Sequence, residues 1–220
     1  MKKHLQKNKM IKLIYFDFNF WRFDILRLAL GYAKVPYECE RVKRQDWPKV
    51  KQDFPFGQLP IMIIDEKKYA HTHSIARFCA LKSGLYSNNE LKAIVIDQVL
   101  DWSNEITNKI APSIRAAMRE KNLEKSKKLR REFIDNDLLL WFSYLEKLFD
   151  ECSTKKKFFN DEFSMADITA WRIILWFCSG KLEQIDKAFI KNFPLLENFF
   201  NKINNYEPLT QLDEYRDIIS

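Results

Sequence analysis

Thr72 and Ser74 stand where apolar residues begin to recur at helical spacing, as Ile75, Phe78 and Cys79. A helix N-terminus with a free hydroxyl is a site for an anion, because its first-turn N–H groups lack carbonyl partners and the helix dipole is positive there. Upstream, Pro60 follows a turn at Phe56-Gly57-Gln58 and precedes the apolar run Ile61-Met62-Ile63-Ile64. A proline at the mouth of a strand has no N–H to donate, so it suits a special turn, a cis peptide among the forms open to it. Asp97 and Asp101 are four residues apart and share a helix face, which Glu105 continues. That spacing alone implies no more than a solvated acidic stripe. Metal chemistry finds no support. Cys39, Cys79, Cys152 and Cys178 are far apart, no CxxC or Cys/His ligand spacing occurs, and His71 and His73 have no ligand company.

The elements around these residues must position them. Residues 56–80 read as a tight turn, a strand, a hairpin at Asp65-Glu66, a second short strand and the opening of a helix. Ile11 to Phe16 reads as a strand, with Tyr15 near its exit, and Asp17 to Phe23 is an aromatic loop. Asp24 to Lys34 reads as a helix from the spacing of Ile25, Leu28, Ala29 and Tyr32. Val35-Pro36-Tyr37 stops it and begins a strand ending near Val42; Trp47-Pro48 marks a loop or helix start. This order gives a small mixed sheet. Residues 83–89 read as a linker, and the chain beyond them is helical. Leu91, Val95, Val99, Trp102, Ile106 and Ile110 form a stripe on a long helix that ends or kinks near Pro112. Leu123 to Asp150 is another long helical segment. Ser164 and Asp167 suit a helix cap, with Phe163 and Ile168 as a hydrophobic staple. Phe189 to Asn204 is a last sizeable helix, and Pro208 begins a tail.

The 220 residues are 46% apolar and 15% aromatic, enough for a sizeable core and against disorder. Four glycines are few, which favours helices over a barrel or sandwich. The net charge is +7, carried by Lys2, Lys3, Lys7, Lys9 and Lys12 and by runs at 121–131 and 155–157. A solvated surface explains such runs, and a basic surface also attracts anionic ligands. No nucleic-acid-binding module is recognisable. Neither a signal-peptide core nor a run of about 20 apolar residues appears, and the scattered cysteines suit a reducing compartment. A soluble, cytoplasmic protein with no membrane partner is expected.

Four motifs in order resemble those of the cytosolic glutathione transferases: KLIYF (Lys12–Phe16), DWPKVK (Asp46–Lys51), the Phe56–Ala80 unit and SMADI (Ser164–Ile168). The likeness covers nearly the whole chain from about Lys12. It is closest to the sigma class, which includes the glutathione-dependent prostaglandin D synthases. It implies a basic extension over 1–10, a thioredoxin-like glutathione-binding domain with a mixed four-stranded sheet over 11–82, a linker over 83–89 and an all-α domain over 90–220. The implied activity is activation of the glutathione thiol for attack on apolar electrophiles, a detoxifying transferase without a metal. A free thiol has a pKa of about 8.5, and lowering it by about two units takes roughly 2.7 kcal/mol. One hydrogen bond to a charged group supplies about 1.5–3 kcal/mol, so a single hydroxyl donor is enough. Tyr15 stands where the family places its catalytic tyrosine, and Arg22 resembles the arginine that supports it. Trp47 and Lys51 match the pair that meets the glycine end of glutathione. The backbone of Gly57, Gln58 and Leu59, ahead of Pro60, would hold its cysteine like an added strand. His71 and Thr72 take the place of a Gln-Ser pair at the γ-glutamyl carboxylate. Asp101 matches an aspartate that reaches the glutamyl ammonium across a homodimer interface. Asp167 matches a structural capping acid.

Two departures bear on function. The loop from Tyr15 to Arg22 is slightly longer than is usual in the class and unusually aromatic, with Phe16, Phe18, Phe20, Trp21 and Phe23. These rings line a pocket for an apolar substrate or fill it, and Arg22 either reaches the site or stays an ordinary helix residue. Histidine at 71 keeps a donor but is shorter than glutamine, which predicts weaker glutathione binding and a pH dependence. Both departures favour a non-catalytic ligand-binding or structural protein on the same fold, like the lens crystallins that resemble this class. Retention of Tyr15 and of the Gly57–Pro60 turn favours the enzyme. A prostaglandin-type isomerase needs the same activated thiol and is not separable by sequence. A nucleic-acid or translation-associated interaction module is permitted by the basic surface but not argued by it.

Overall fold

The computed structural model describes residues 10–220, so all of the basic extension except Met10 lies outside the described residues. The chain forms two compact units: residues up to Leu85 together with Gln211–Ser220, and Tyr86–Thr210.

The first unit is built on four strands, β1 (Ile11–Phe16), β2 (Tyr37–Val42), β3 (Ile61–Ile64) and β4 (Lys67–Ala70), in the order β2-β1-β3-β4. β1 and β2 are parallel, which demands a crossover, and α1 (Trp21–Tyr32) supplies it. β3 is antiparallel to β1, and β4 to β3. Asp65 and Glu66 turn the β3–β4 hairpin with φ values of 49° and 66°. Paired left-handed residues match the twist of the flanking strands, and aspartate tolerates that region better than most.

Side chains of β1 alternate between the faces of the sheet. Ile14 packs with Val42 and Ile61, and Trp47, Val50, Phe54 and Leu59 cover them. A short helix α2 (Trp47–Val50) thus lies on this face. Ile11, Leu13 and Tyr15 are buried on the other, where Tyr15 stacks on Phe23 of α1. Helix α1 starts at Trp21, three residues before the expected Asp24, because the Phe20 carbonyl accepts from Phe23 and Asp24 at 2.9 and 3.0 Å. It packs against α3 (Thr72–Ser83) and α10 (Asp213–Ile219), so it is buried nearly all round. Residues 211–220 therefore close the first unit, although the sequence assigns 90–220 to the helical domain and reads a tail after Pro208.

The second unit holds α4 (Glu90–Met118), α5 (Leu123–Phe133), α6 (Leu139–Cys152), α7 (Met165–Cys178), α8 (Pro194–Asn204) and the short α9 (Glu207–Thr210). Helix α4 runs through Pro112 instead of ending there, held by buried Ile110, Ser113 and Ala116 on either side. Its buried face includes Ile96, Val99, Leu100, Ile106 and Ile110; Leu91, expected in the stripe, is 76% exposed. A π turn over Ile134–Leu138 joins α5 to α6. Its wider turn rotates the apolar face and leaves Leu139 and Leu140 about half exposed. Among the described residues no helix is long and apolar enough to cross a membrane.

Helix α7 opens on the expected capping box. The fully buried Asp167 carboxylate accepts from the Ser164 N–H at 2.8 Å, the Ser164 hydroxyl at 2.9 Å and the Phe159 N–H at 2.9 Å. Phe163 packs against the rings of Phe158 and Tyr206. Burial pushes the Asp167 carboxyl up to about 7, against the pull of these donors. A carboxyl raised in the fold contributes most below its unfolded value and progressively less as pH rises through its folded one. Asp167→Ala is expected to destabilise the protein by about 2–4 kcal/mol, because two buried N–H groups lose their acceptor. The loss should be larger near pH 5 than near pH 8. Denaturant titrations of both proteins at the two pH values measure it; a loss that grows with pH would show the carboxylate to be the favoured buried form.

Candidate active site

One end of the sheet gathers the candidate residues. Ile14 is opposite Ile61, so the next pair in the register sets Tyr15 against Pro60. Ile61 is opposite Ala70, so His71 leaves β4 beside Pro60, and Thr72 opens α3. The Leu59–Pro60 peptide is cis. Tyr15, Pro60 and His71 thus lie in a row across this end of the sheet, with Thr72 following His71.

Tyr15 is only 4% exposed. Its ring stacks on Phe23 at 5.2 Å and meets Phe16 and Phe18 edge-on at 5.6 and 5.8 Å. Burial lifts its hydroxyl well above the usual tyrosine range; the Arg22 charge pulls it back, Asp24 adds to the rise, and Arg44 and Arg41 also oppose it. The hydroxyl therefore stays protonated at neutral pH. It is a donor among cations, suited to an anion rather than to acting as a base. Arg22 is half-buried at the second position of α1, with its guanidinium 4.6 Å from the Trp21 ring centre. Burial lowers its pKa, and the nearby Tyr15 opposes that shift.

The aromatic loop is fixed, and half-buried Phe18 and Phe20 belong to its packing. Arg41, opposite Tyr15 in β2, donates to the carbonyls of Phe16 at 3.0 Å and Phe18 at 3.2 Å and to Asn19 Oδ1 at 3.0 Å. Arg27 donates to Asn19 Oδ1 at 3.2 Å and pairs with Asp24 at 3.2 Å and with Asp217 at 2.8 Å. Asn19 donates in turn to the Asp217 carbonyl at 2.8 Å. Arg41 also rests 4.5 Å from the Phe23 ring centre.

On the other side of the site, Trp47 stacks on Phe54 at 5.9 Å and meets Phe16 edge-on at 5.1 Å. Lys51 is exposed, and its stem covers Gly57, where a Cβ would fall 2.9 Å from Lys51 Cε. Gly57 has φ +53°, so a side chain there meets both strain and a clash. Gln58 is exposed with extended backbone, and Leu59 is half-buried beside it. That leaves a strand-like edge able to exchange backbone hydrogen bonds with an extended peptide. Helix α3 begins without a side-chain cap, and Thr72 is 5% exposed. Its first-turn N–H groups are therefore available for a carboxylate. His71 is exposed at φ 71°, with its ring 4.4 Å from that of Phe56. Asp101 is exposed on α4 in the second unit, and Asp97 accepts from the Tyr86 hydroxyl at 2.9 Å.

Sequence reasoning does not single out Asn19, Arg41 or Asp217. Arg27 carries one signal, the Arg-x-acid-x-x-Arg spacing from Arg22. Phe56 as the neighbour of His71 is likewise unread, since it depends on two residues with positive φ facing each other.

The family described as "Glutathione S-transferase, N-terminal domain" matches residues 11–80, and "Glutathione S-transferase, C-terminal domain" matches residues 108–215. Glutathione S-transferase 2 of Manduca sexta is 39% identical over 79 residues, 36% of this chain and 39% of that protein. The hematopoietic prostaglandin D synthase of Rattus norvegicus is 24% identical over 193 residues, 87% of this chain and 89% of that one. Among solved structures, monomeric Na-GST-3, a glutathione S-transferase of the hookworm Necator americanus, superposes with a TM-score of 0.74 at 27% identity, covering 92% of this chain and 95% of that one. Several curated relatives are matched over half of their length or less. With both domain families matched in order along a thioredoxin-like unit and a helical unit, the chain belongs to the glutathione S-transferase family.

Proposed function

We propose that this protein is a glutathione transferase of the sigma-like kind, with Tyr15 donating its hydroxyl hydrogen to the thiolate of glutathione. The observation that carries the reading is a buried tyrosine beside Arg22, in register with the cis proline at the end of β1. Glutathione fits the surrounding groups. Lys51 and Trp47 take its glycine end, the Gln58–Leu59 backbone holds its cysteine, and the α3 N-terminus with Thr72 and His71 takes its γ-glutamyl carboxylate. The thiol releases its proton to solvent, and the thiolate is held by Tyr15. Its sulfur then attacks an electrophilic carbon; with a chloronitrobenzene a C–S bond forms and chloride leaves. The co-substrate is an apolar electrophile that reaches the aromatic loop.

A detoxifying role in the cytoplasm belongs to the same reading, and four free cysteines suit a reducing compartment. A homodimer is part of it too. Phe56 at 72%, Leu91 at 76% and Ile94 at 54% exposure offer apolar surface, and Asp101 of one copy would complete the site of the other. A second reading, ligand binding without catalysis, is favoured by the rings of Phe16, Phe18 and Phe23 around Tyr15. The alternative of a prostaglandin-type isomerase gains support from the rat relative's name.

Three outcomes are expected. The protein binds immobilised glutathione and turns over a chloronitrobenzene, and Tyr15→Phe lowers kcat/KM by roughly 10–100-fold, the worth of one hydrogen bond to a charged group. Binding with turnover indifferent to Tyr15 would leave the non-catalytic reading standing. His71→Gln tightens the glutathione dissociation constant by about 2–5-fold, because a longer donor replaces a ring turned toward Phe56; calorimetry that finds no tightening removes His71 from the site. Light scattering finds a dimer, and Leu91→Glu with Ile94→Glu gives a monomer; an unchanged mass would rule that face out.

A further inference from the structure

The loop that covers Tyr15 is held from a distant part of the chain. Between β1 and α1 the backbone has no regular partner strand or helix to fix it, yet it carries Phe18, one of the rings packed against Tyr15, and follows directly on another, Phe16. Its own hydrogen bonds are few: Phe18 N–H to the Phe16 carbonyl at 2.8 Å and Asp17 N–H to Val42 at 3.1 Å. Arg41 holds the Phe16 and Phe18 carbonyls at 3.0 and 3.2 Å, and the remaining side-chain restraint converges on Asn19. Its Oδ1 accepts from Arg27 and Arg41, and its Nδ2 donates to the Asp217 carbonyl and, at 3.3 Å, to Asp217 Oδ2. That carboxylate also takes Arg27 Nη1. Asp217 lies in α10, nearly two hundred residues from the loop in sequence and in the same compact unit.

We propose that Asp217 is a positioning residue: through Asn19 and Arg27 it clamps the 16–20 loop over Tyr15 and so sets how dry the tyrosine hydroxyl is. The catalytic consequence rests on the transferase reading, but the clamp does not. Asp217 touches neither Tyr15 nor any residue of the glutathione turn, so it acts on the reaction only through the loop. Loss of its side chain leaves Arg27 paired with Asp24 and leaves Asn19 with Arg41 and the Asp217 carbonyl, so the fold keeps an ion pair and one backbone link while the carboxylate that ties Arg27 to Asn19 is gone and the loop is held less tightly. Water then reaches the Tyr15 ring. The hydroxyl, which dryness holds above the ordinary tyrosine range while Arg22, Asp24, Arg44 and Arg41 face it, returns toward that range. A wetter, looser donor stabilises a thiolate less, because its hydrogen bond competes with solvent. The proposed contacts of glutathione other than Tyr15, at Lys51, Gln58, Thr72 and their neighbours, stay in place.

The test uses the full chain as Asp217→Ala, Asn19→Ala and the double variant, each with and without Tyr15→Phe. Phenolate absorbance during alkaline titration, taken as the difference between each protein and its Tyr15→Phe counterpart, reads Tyr15 with no glutathione present. Tyr15 of the parent is expected to ionise well above the usual tyrosine value of about 10, and that of each variant at a pH clearly below the parent's. With a chloronitrobenzene, kcat should fall about tenfold, about 1.4 kcal/mol, while KM for glutathione stays within about twofold. The double variant should lose no more than Asn19→Ala alone, because the Asp217 carboxylate reaches the loop only through Asn19. Asp217→Glu should restore most of kcat. Variants with a lowered melting temperature but an unmoved Tyr15 titration and kcat would overturn the proposal, leaving α10 as a plain staple. If the alanine variants do not fold, Asp217→Asn, which keeps an acceptor and drops the charge, takes the same two readouts. A parent that neither binds glutathione nor turns over, but whose Tyr15 titration moves in the variants, would sink the transferase reading and keep the clamp.

Discussion

The parallel pairing of β1 with β2 is the constraint on which the rest of the site depends. Two parallel neighbours cannot be joined by a tight turn, so the chain must leave Phe16, cross the sheet as a helix and return. That requirement puts an irregular loop directly after Tyr15 and an aromatic face of α1 on top of it. The same register brings Arg41 across from Tyr15, within reach of the loop carbonyls. β3, on the other side of β1, brings the cis proline. A central strand with neighbours on both sides thus leaves one tyrosine buried beside several charges.

The charges around that tyrosine are arranged more than they are numerous. Arg27 and Asp24 are both buried and paired. Desolvation cancels much of what such a pair gains by attraction, so its contribution is less to stability than to fixing where charge sits. Here it holds a carboxylate near Tyr15 that raises the hydroxyl, while Arg22, Arg44 and Arg41 lower it. The lysine-rich exterior that gives the chain its +7 charge has little to do with this balance. Surface charges are screened within about 10 Å at ordinary salt.

Much of this was legible in the sequence, for reasons that differ by residue. Pro60 after a glycine turn, Asp65-Glu66 between two apolar runs and Ser164 three residues before Asp167 are local signals, and local backbone chemistry decides them. The strands in chain order and the capping box could be read because each depends on neighbours in sequence, whereas the spatial order β2-β1-β3-β4 joins residues distant in sequence. Leu91, and Pro112 as a helix end, were misleading for an opposite reason. Propensity and periodicity gave them a role, and tertiary packing overrode it. The π turn at Ile134–Leu138 has no sequence mark that periodicity reads, since it shifts the period itself. Asn19, Arg41 and Asp217 could not be found, because their partnership joins residues brought together only by the finished fold. The Asp17–Phe23 loop was recognised as unusual, but whether its rings line or fill depends on that hidden partnership.

The placement of α10 with the first unit has a consequence for how the chain folds. The thioredoxin-like unit is discontinuous: residues 86–210 intervene between its main body and its last helix. Closing such a long loop costs entropy that grows only with the logarithm of its length, so the helical unit, once folded, can bring α10 back at modest cost. During synthesis, however, the main body leaves the ribosome well before its final helix exists. The outer side of α1 and the basic groups meant for Asp217 must wait, exposed, for the whole helical unit to be made. A unit whose main body is translated before residues 86–210 is therefore completed only after them.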